Sequence, residues 1–135
     1  MREQYVIGKH VVVTDEDVVQ VKWDGPVKLD EMSAIQRIYE ARLLLHPRLY
    51  SVFHVTRAHT PPPEVRRQMA KWRQTHKVAG SAVVGASLPI RSIATLYLRA
   101  TTLLGLKTWP VRFVESEAEA HEFFAELRRA AAVAR

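Results

Sequence analysis

The side chains that could take part in catalysis or metal binding are mainly six histidines, because the sequence contains no cysteine. No two histidines have the H-x-x-x-H or H-E-x-x-H spacing that places two ligands on one face of a helix. His54 lies in a predicted strand and His59 just beyond its end, where ligands often bind in parallel sheets. A small hydrolase that uses His54 or His59 is therefore one hypothesis. It requires the two imidazoles to converge in a cleft.

Other motifs of catalysis and cofactor binding are missing from the sequence. It has no G-x-S-x-G nucleophile elbow, and its five glycines are too scattered to form a phosphate-binding or dinucleotide-binding loop. Without cysteine it can form no disulfide, thiolate nucleophile or cysteine-ligated metal site. The sequence therefore predicts no enzyme activity, no catalytic residue, no metal and no cofactor.

The length and composition are typical of one globular domain over residues 1–135. The first ten residues lack the apolar run of a signal peptide. No apolar stretch is long enough and free enough of charge to form a transmembrane segment. We expect a cytoplasmic protein.

Charge is distributed unevenly along the chain, whose net charge is +6. Residues 57–112 hold ten Lys and Arg against Glu64 alone, a net of +9, whereas residues 1–56 are at −1 and residues 113–135 at −2. Such a basic block attracts acidic or phosphate-bearing partners, or is simply a solvated surface. Because no nucleic-acid-binding motif accompanies it, we expect a protein partner, acidic or a signalling regulator, rather than nucleic acid.

Strand and helix patterns alternate through the chain. Residues 10–14 and 18–23 are predicted to form an antiparallel hairpin, with residues 5–7 as a short edge strand. A helix from Asp30 follows, and then three strand–helix pairs, with strands at residues 49–55, 81–86 and 109–114. The S-x-x-E sequence at Ser116 is a capping box for the last helix. This order predicts an α/β fold with a single mostly parallel sheet, an N-terminal antiparallel hairpin and about four helices.

The helix predicted over residues 89–104 is more apolar than covering one face of a sheet requires. The side predicted to face the sheet consists of Ile90, Ile93, Ala94, Tyr97, Ala100 and Leu104. Leu96, Leu98 and Leu103 lie on the flanks of that side. These three leucines are the candidate surface for an apolar ligand or a dimer, unless neighbouring helices cover them.

Four parts of the sequence carry a resemblance to a known family. They are DVVQVKWDG at residues 17–25, VAGSAVVGAS at 78–87, Arg91, and VRFVESEAEA at 111–120. Together with the order of elements, they resemble the STAS family of sporulation anti-sigma-factor antagonists, and more closely its SpoIIAA-like branch, which is related in structure to Sec14-type lipid carriers. Over residues 10–130 the resemblance implies a STAS/SpoIIAA-like fold and a regulatory role.

The resemblance also concerns phosphorylation. The STAS antagonists are switched at a serine in an Asp-Ser-Ser-Gly-type loop, where the helix after the central strand begins. Here the matching loop, residues 56–61, reads TRAHTP and has neither the aspartate nor the Ser-Gly pair. Thr60 and Thr56 are therefore the candidate phosphorylation sites. The alternative is that Thr60 caps the helix that follows.

We therefore expect a non-enzymatic regulatory domain that binds another protein through the loop 56–63 and the basic helix after it. The candidate contact residues are Arg57, His59, Arg66, Arg67 and Lys71. The alternative is a carrier or binder of a lipid-like apolar ligand or a membrane surface, and the chain could also form a homodimer. A pocket lined by the helix at residues 89–104 would favour the lipid alternative.

Overall fold

The computed structural model describes residues 1–105 and 108–134, with all their side chains except those of Tyr97 and Thr101. The described residues contain six strands and four helices. In chain order these are β1 (Glu3–Ile7), β2 (His10–Asp15), β3 (Val18–Gly25), α1 (Leu29–Leu45), β4 (Tyr50–Ala58), α2 (Pro63–Arg73), β5 (Gly80–Val84), α3 (Leu88–Leu103), β6 (Val111–Val114) and α4 (Glu117–Val133).

The strands form one sheet in which they follow one another in chain order from β1 to β6. β1, β2 and β3 are antiparallel neighbours, and β3, β4, β5 and β6 run parallel. Three of the helices connect parallel neighbours, as parallel strands require. The predicted fold class is confirmed, including the antiparallel hairpin and its short edge strand.

Side chains alternate between the two faces of the sheet, so adjacent residues of β3 belong to different cores. Val18 packs on the α4 side, where Phe123 and Phe124 are at most 4% exposed. Val19 packs on the other side, which is covered by α1 and α2 through residues such as Ile35. The chain thus places two layers of helix on the sheet, one on each face.

The N-terminus of α4 lies where the sequence predicts. Ser116 is the N-cap residue, and its hydroxyl accepts a hydrogen bond from the backbone N–H of Glu119 at 3.2 Å. The Glu119 carboxylate accepts from the backbone N–H of Glu115 at 3.1 Å. The bond to Ser116 satisfies an amide that the helix itself leaves unpaired, whereas the Glu119 carboxylate binds the amide of the residue ahead of the N-cap rather than that of Ser116, which a capping box would bind.

The orientation of α3 differs from the prediction. Its half-buried side chains are Arg91, Ala94, Thr95 and Leu98. Of the side predicted to face the sheet, Ile93 is 64% exposed and Leu104 is 76% exposed. That prediction is wrong for these residues and for the exposed Ile90 and Ala100, while the Tyr97 side chain lies outside the described residues.

The reason lies in how α3 is attached. Arg91 Nε donates to the backbone oxygen of Ala86 at 3.1 Å, and its Nη2 donates to Glu115 Oε1 at 3.1 Å. Its guanidinium also lies 5.6 Å from the centre of the Phe113 ring. These contacts turn the Arg91 side of α3 toward the sheet, so the most apolar side points away from it. Neighbouring helices leave Leu96 and Leu103 65% and 87% exposed.

None of the described helices is both long enough and apolar enough to cross a membrane.

Candidate interaction surface at the β4–α2 connection

The end of β4 is shaped by an irregular pairing with β3. Lys22 lies opposite His54, but Asp24 lies opposite Arg57, so two steps along β3 correspond to three along β4. Such a bulge changes which side chains face the neighbouring strand. Arg57 Nε lies 3.2 Å from Asp24 Oδ1, in an ion pair whose Arg side chain is 76% exposed. Arg57 is therefore held at the rim of the sheet with its charge largely in water.

The loop that follows presents His59 and Thr60 to solvent. The N-cap residue of α2 is Pro62, and Pro63 occupies the first helical position. The backbone oxygen of Pro62 accepts from the N–H groups of Val65 and Arg66, both at 3.0 Å. The alternative interpretation of Thr60 as the cap is therefore wrong, because the fixed φ of consecutive prolines starts the helix two residues later.

Helix α2 is fixed against α1 by its inner side. Val65 is fully buried, and Gln68 Nε2 donates to Ser33 Oγ at 2.7 Å and to Gln36 Oε1 at 3.0 Å. Further along the helix, Trp72 Nε1 donates to Glu40 Oε1 at 3.0 Å. These bonds are specific in direction, so the rotation of α2 about its own axis is set. Val65, Met69 and Trp72 form the inner side of this helix.

The outer side of α2 is basic. Arg66, Arg67 and Lys71 are exposed, and no carboxylate among the described residues forms an ion pair with any of them. We call these three residues, with Arg57 and His59, the basic surface. The charges of Arg66, Arg67 and Lys71 project from a helix that its bonds to α1 hold in place, so the backbone that carries them is ordered before a partner arrives.

Thr56 and Thr60 differ in their surroundings. The Thr56 hydroxyl packs closely against Gly85, which has a φ of +80° and whose missing Cβ leaves room for that contact. Thr60 is exposed and lies between His59 and the prolines. Thr56 is exposed as well, so exposure alone does not distinguish the two candidate hydroxyls.

A second polar group occupies the face of the sheet that carries α4. Gln20, which is 4% exposed, donates through Nε2 to Glu117 Oε1 at 2.5 Å. Its Oε1 is then left to accept, so His54 Nε2 donates to it at 2.9 Å. His121 Nε2 lies 3.7 Å from the same Glu117 oxygen. We call these four residues the glutamine-centred network.

The pKa values of two members of this network are shifted. Burial lowers the pKa of His54, and the positive charge of Lys22 lowers it further. The hydrogen bond from Gln20 lowers the pKa of the Glu117 carboxyl. At neutral pH the network therefore contains a neutral imidazole and a carboxylate joined through a neutral amide.

Sequence reasoning selected His54 but missed its partners. Gln20 and Glu117 are 97 residues apart in the chain, and only the packing of α4 on the sheet brings them together. His59 has no hydrogen bond or ion pair within the described part of the chain, and the hydrogen bond of His54 goes to Gln20. No group of three or more His, Asp or Glu side chains in the described residues is placed to hold a metal ion.

The region around α3 bears on the lipid alternative. A shallow depression of about 390 Å³ runs along one flank of the helix, and the described residues that line it all belong to α3: Leu88, Arg91, Ser92, Thr95, Leu96 and Arg99. A carrier would enclose most of an apolar ligand between several elements. Binding of a lipid-like ligand or a membrane surface at Leu96, Leu98 and Leu103 stays a prediction.

Comparison with known proteins supports the fold. No family model matches the sequence, and no curated protein matches it. Among solved structures, the chain is similar to the anti-sigma factor antagonist SpoIIAA in its unphosphorylated form, with a TM-score of 0.54 and 8% sequence identity. The match covers 93% of this chain and 98% of the SpoIIAA chain. At that identity the likeness shows the architecture alone, and the chain has a STAS/SpoIIAA-like fold.

Proposed function

We propose that the protein is a non-enzymatic regulatory domain that binds an acidic partner protein through its basic surface. The observation that carries this proposal is the row of exposed, unneutralised cations Arg66, Arg67 and Lys71 on a helix held firmly by α1. Cations that are already positioned and unpaired attract a negative surface without first breaking internal ion pairs.

The fold supports a regulatory function. The similar protein SpoIIAA is an anti-sigma factor antagonist, and its structure covers nearly the whole of this chain. The β4–α2 loop of this chain is where the resemblance places the switch of the STAS antagonists. The basic surface borders that loop, so a partner bound there would contact the segment that a modification could change.

A capture experiment with matched variants tests the proposal. The full chain is immobilised, retained proteins are identified by mass spectrometry, and the affinity of each is then measured with the purified partner. We expect the triple variant Arg66→Glu, Arg67→Glu, Lys71→Glu to bind at least about tenfold more weakly. The control, Lys9→Glu, Arg37→Glu, Arg129→Glu, changes the net charge equally at scattered exposed positions. The proposal fails if both variants retain every partner equally.

We also propose that phosphorylation at Thr60 weakens this binding. A phosphate carries nearly two negative charges at neutral pH and would partly neutralise the neighbouring cations of the basic surface. Thr60→Asp should therefore reduce affinity, whereas Thr60→Val should leave it unchanged. Equal affinities for Thr60→Asp and Thr60→Val would exclude a charge effect at this position, and Thr56→Asp is the comparison at the other candidate hydroxyl, beside Gly85.

A further inference from the structure

A depression of about 260 Å³ lies where β4 begins, at the end of the sheet away from the basic surface. Its walls come from the β2–β3 turn, the start of β4 with the loop ahead of it, and the last turns of α4. The described residues that line it are Asp17, Arg48, Tyr50, Arg128, Ala131 and Ala132. We call these six residues the arginine pocket. It shares no residue with the basic surface.

Arg128 is held in place by two neighbours in the pocket. Its Nε lies 3.2 Å from Asp17 Oδ2 and its Nη2 lies 2.8 Å from Asp17 Oδ1, a bidentate ion pair. Its guanidinium carbon also lies 4.8 Å from the centre of the Tyr50 ring. These contacts fix the plane of the guanidinium and neutralise the one carboxylate among the described lining residues. The Nη1 group of Arg128 has no hydrogen-bond partner among the described residues.

Arg48 supplies a second positive charge. Its side chain is exposed, and its Nη2 lies 3.4 Å from the hydroxyl oxygen of Tyr50. It forms no ion pair with any carboxylate of the described residues. Two guanidinium groups and one carboxylate give the arginine pocket a net charge of +1. The pocket therefore favours an anion.

The hydroxyl of Tyr50 has a proton to donate. Tyr50 is 1% exposed, and its ring packs against Phe124 with 5.0 Å between the ring centres. The hydroxyl oxygen accepts from Arg48, and no acceptor among the described residues receives the hydroxyl proton. Buried polar groups in proteins usually have a partner for each of their hydrogen bonds. A ligand oxygen in the pocket would supply the acceptor that the protein does not.

We propose that the arginine pocket binds a phosphate group. The donors are the Arg48 guanidinium, the Tyr50 O–H and the Arg128 Nη1 group, which belong to three segments of the chain. They suit a tetrahedral anion with several oxygens better than a planar carboxylate with two. Arginine is also a side chain that phosphate sites commonly use. The small Ala131 and Ala132 leave room for the rest of a phosphate monoester. This proposal does not rest on the proposed function.

A titration followed by nuclear magnetic resonance tests the pocket. Inorganic phosphate is added to the ¹⁵N-labelled full chain at constant ionic strength, and the amide signals of Ala131 and Ala132 are followed. We expect saturable shifts in the wild type, and we expect Arg48→Gln to raise the dissociation constant at least about tenfold, because it removes a charged donor. The control is Arg129→Gln, which changes the net charge equally on the helix of Arg128 but lies outside the pocket. Wild-type shifts that do not saturate, or equal weakening by both variants, overturn the proposal.

Tyr50→Phe tests the hydroxyl while keeping the ring that packs on Phe124. It should raise the dissociation constant for phosphate about fivefold or more, because one hydrogen bond to a charged group is lost. An unchanged constant overturns the proposed role of the pocket. The circular dichroism spectrum of each variant verifies that it is folded.

Three ligands distinguish the sources of the anion. Phenyl phosphate that binds more tightly than inorganic phosphate assigns the pocket to a phosphate monoester, whereas equal or weaker binding assigns it to the free ion. Malonate carries two carboxylates and a charge similar to that of phosphate. Binding of malonate as tightly as inorganic phosphate would overturn the preference for a tetrahedral anion, and with it the proposal.

Discussion

Helices α3 and α4 have similar lengths and both carry an apolar side, but they use it in opposite ways. In α4 the apolar side faces the sheet, and Ala120 and Phe124 are fully buried there. In α3 the apolar side faces solvent, and a half-buried arginine attaches the helix to the sheet. The two helices show that the apolar side of a helix indicates contact with another apolar surface, but that this surface can lie outside the chain.

The contrast between buried and exposed apolar side chains gives the largest expected effect. Phe124→Ala should lower the free energy of unfolding by about 3–5 kcal/mol, because it opens a cavity in a closed core. Leu96→Ala should change it by less than about 0.5 kcal/mol, since a leucine already exposed to water loses little on truncation. Urea denaturation of both variants at low protein concentration measures the difference. A cost above about 2 kcal/mol for Leu96→Ala would mean that α3 buries Leu96 within one chain.

The polar contacts that attach α3 and α4 to the rest of the protein give the second-largest expected change in the free energy of unfolding. Gln20→Leu should cost about 1–3 kcal/mol of unfolding free energy, because it removes one hydrogen bond to a carboxylate and one to an imidazole. Glu115→Gln removes the exposed ion pair that holds α3 and should cost less than about 1 kcal/mol. Comparable losses in the two variants would contradict this ranking of the attachments.

The cost of Gln20→Leu should depend on pH. Gln20 lowers the pKa of Glu117 in the folded protein, so its contribution is present above the pKa of Glu117 in the unfolded chain. That contribution is lost as the pH falls through the lowered folded value. The difference in unfolding free energy between wild type and Gln20→Leu should therefore shrink in acid. A difference that grows as the pH falls would be inconsistent with a hydrogen bond to the carboxylate.

Substitutions at the N-cap residues of α4 and α3 give the smallest expected change in the free energy of unfolding. Ser116→Ala should cost about 1 kcal/mol, because the hydroxyl satisfies the Glu119 amide of α4. Ser87 is the N-cap residue of α3, but its side chain makes no capping hydrogen bond. Ser87→Ala should therefore cost clearly less, within about 0.5 kcal/mol. Thermal unfolding of the two variants provides the comparison, and equal shifts in Tm would contradict it.

Much of the architecture could be predicted from local chemistry. The strand-like runs at residues 10–14 and 18–23 located β2 and β3, and Ser116 with Glu119 located the start of α4. Each of these signals lies within a few residues along the chain. The resulting order of elements was enough to indicate the STAS/SpoIIAA-like fold.

The features that sequence reasoning missed depend on distant contacts. The rotation of α3 follows from the bond between Arg91 and Glu115, which lie 24 residues apart, and apolar spacing carries no information about it. The start of α2 was misjudged because a threonine ahead of three prolines resembles a cap, although Pro62 holds that position. The hydrogen bond from Gln20 to Glu117 could not be predicted, because a single glutamine in a strand looks like an ordinary polar residue in the sequence. Its role becomes evident only when α4 packs over it.

The carboxamide of Gln20 also limits what His54 can do. A proton relay needs members that can receive a proton on one atom while releasing one from the other, as water, hydroxyl groups and imidazoles do. An amide has a fixed donor end and a fixed acceptor end, so it conducts no proton between Glu117 and His54 at ordinary pH. The row of hydrogen bonds therefore has a fixed donor-to-acceptor direction and transfers no proton along its length. These hydrogen bonds fix the distances between β4, β3 and α4. They orient the imidazole of His54, but no proton passes from it to the Glu117 carboxylate.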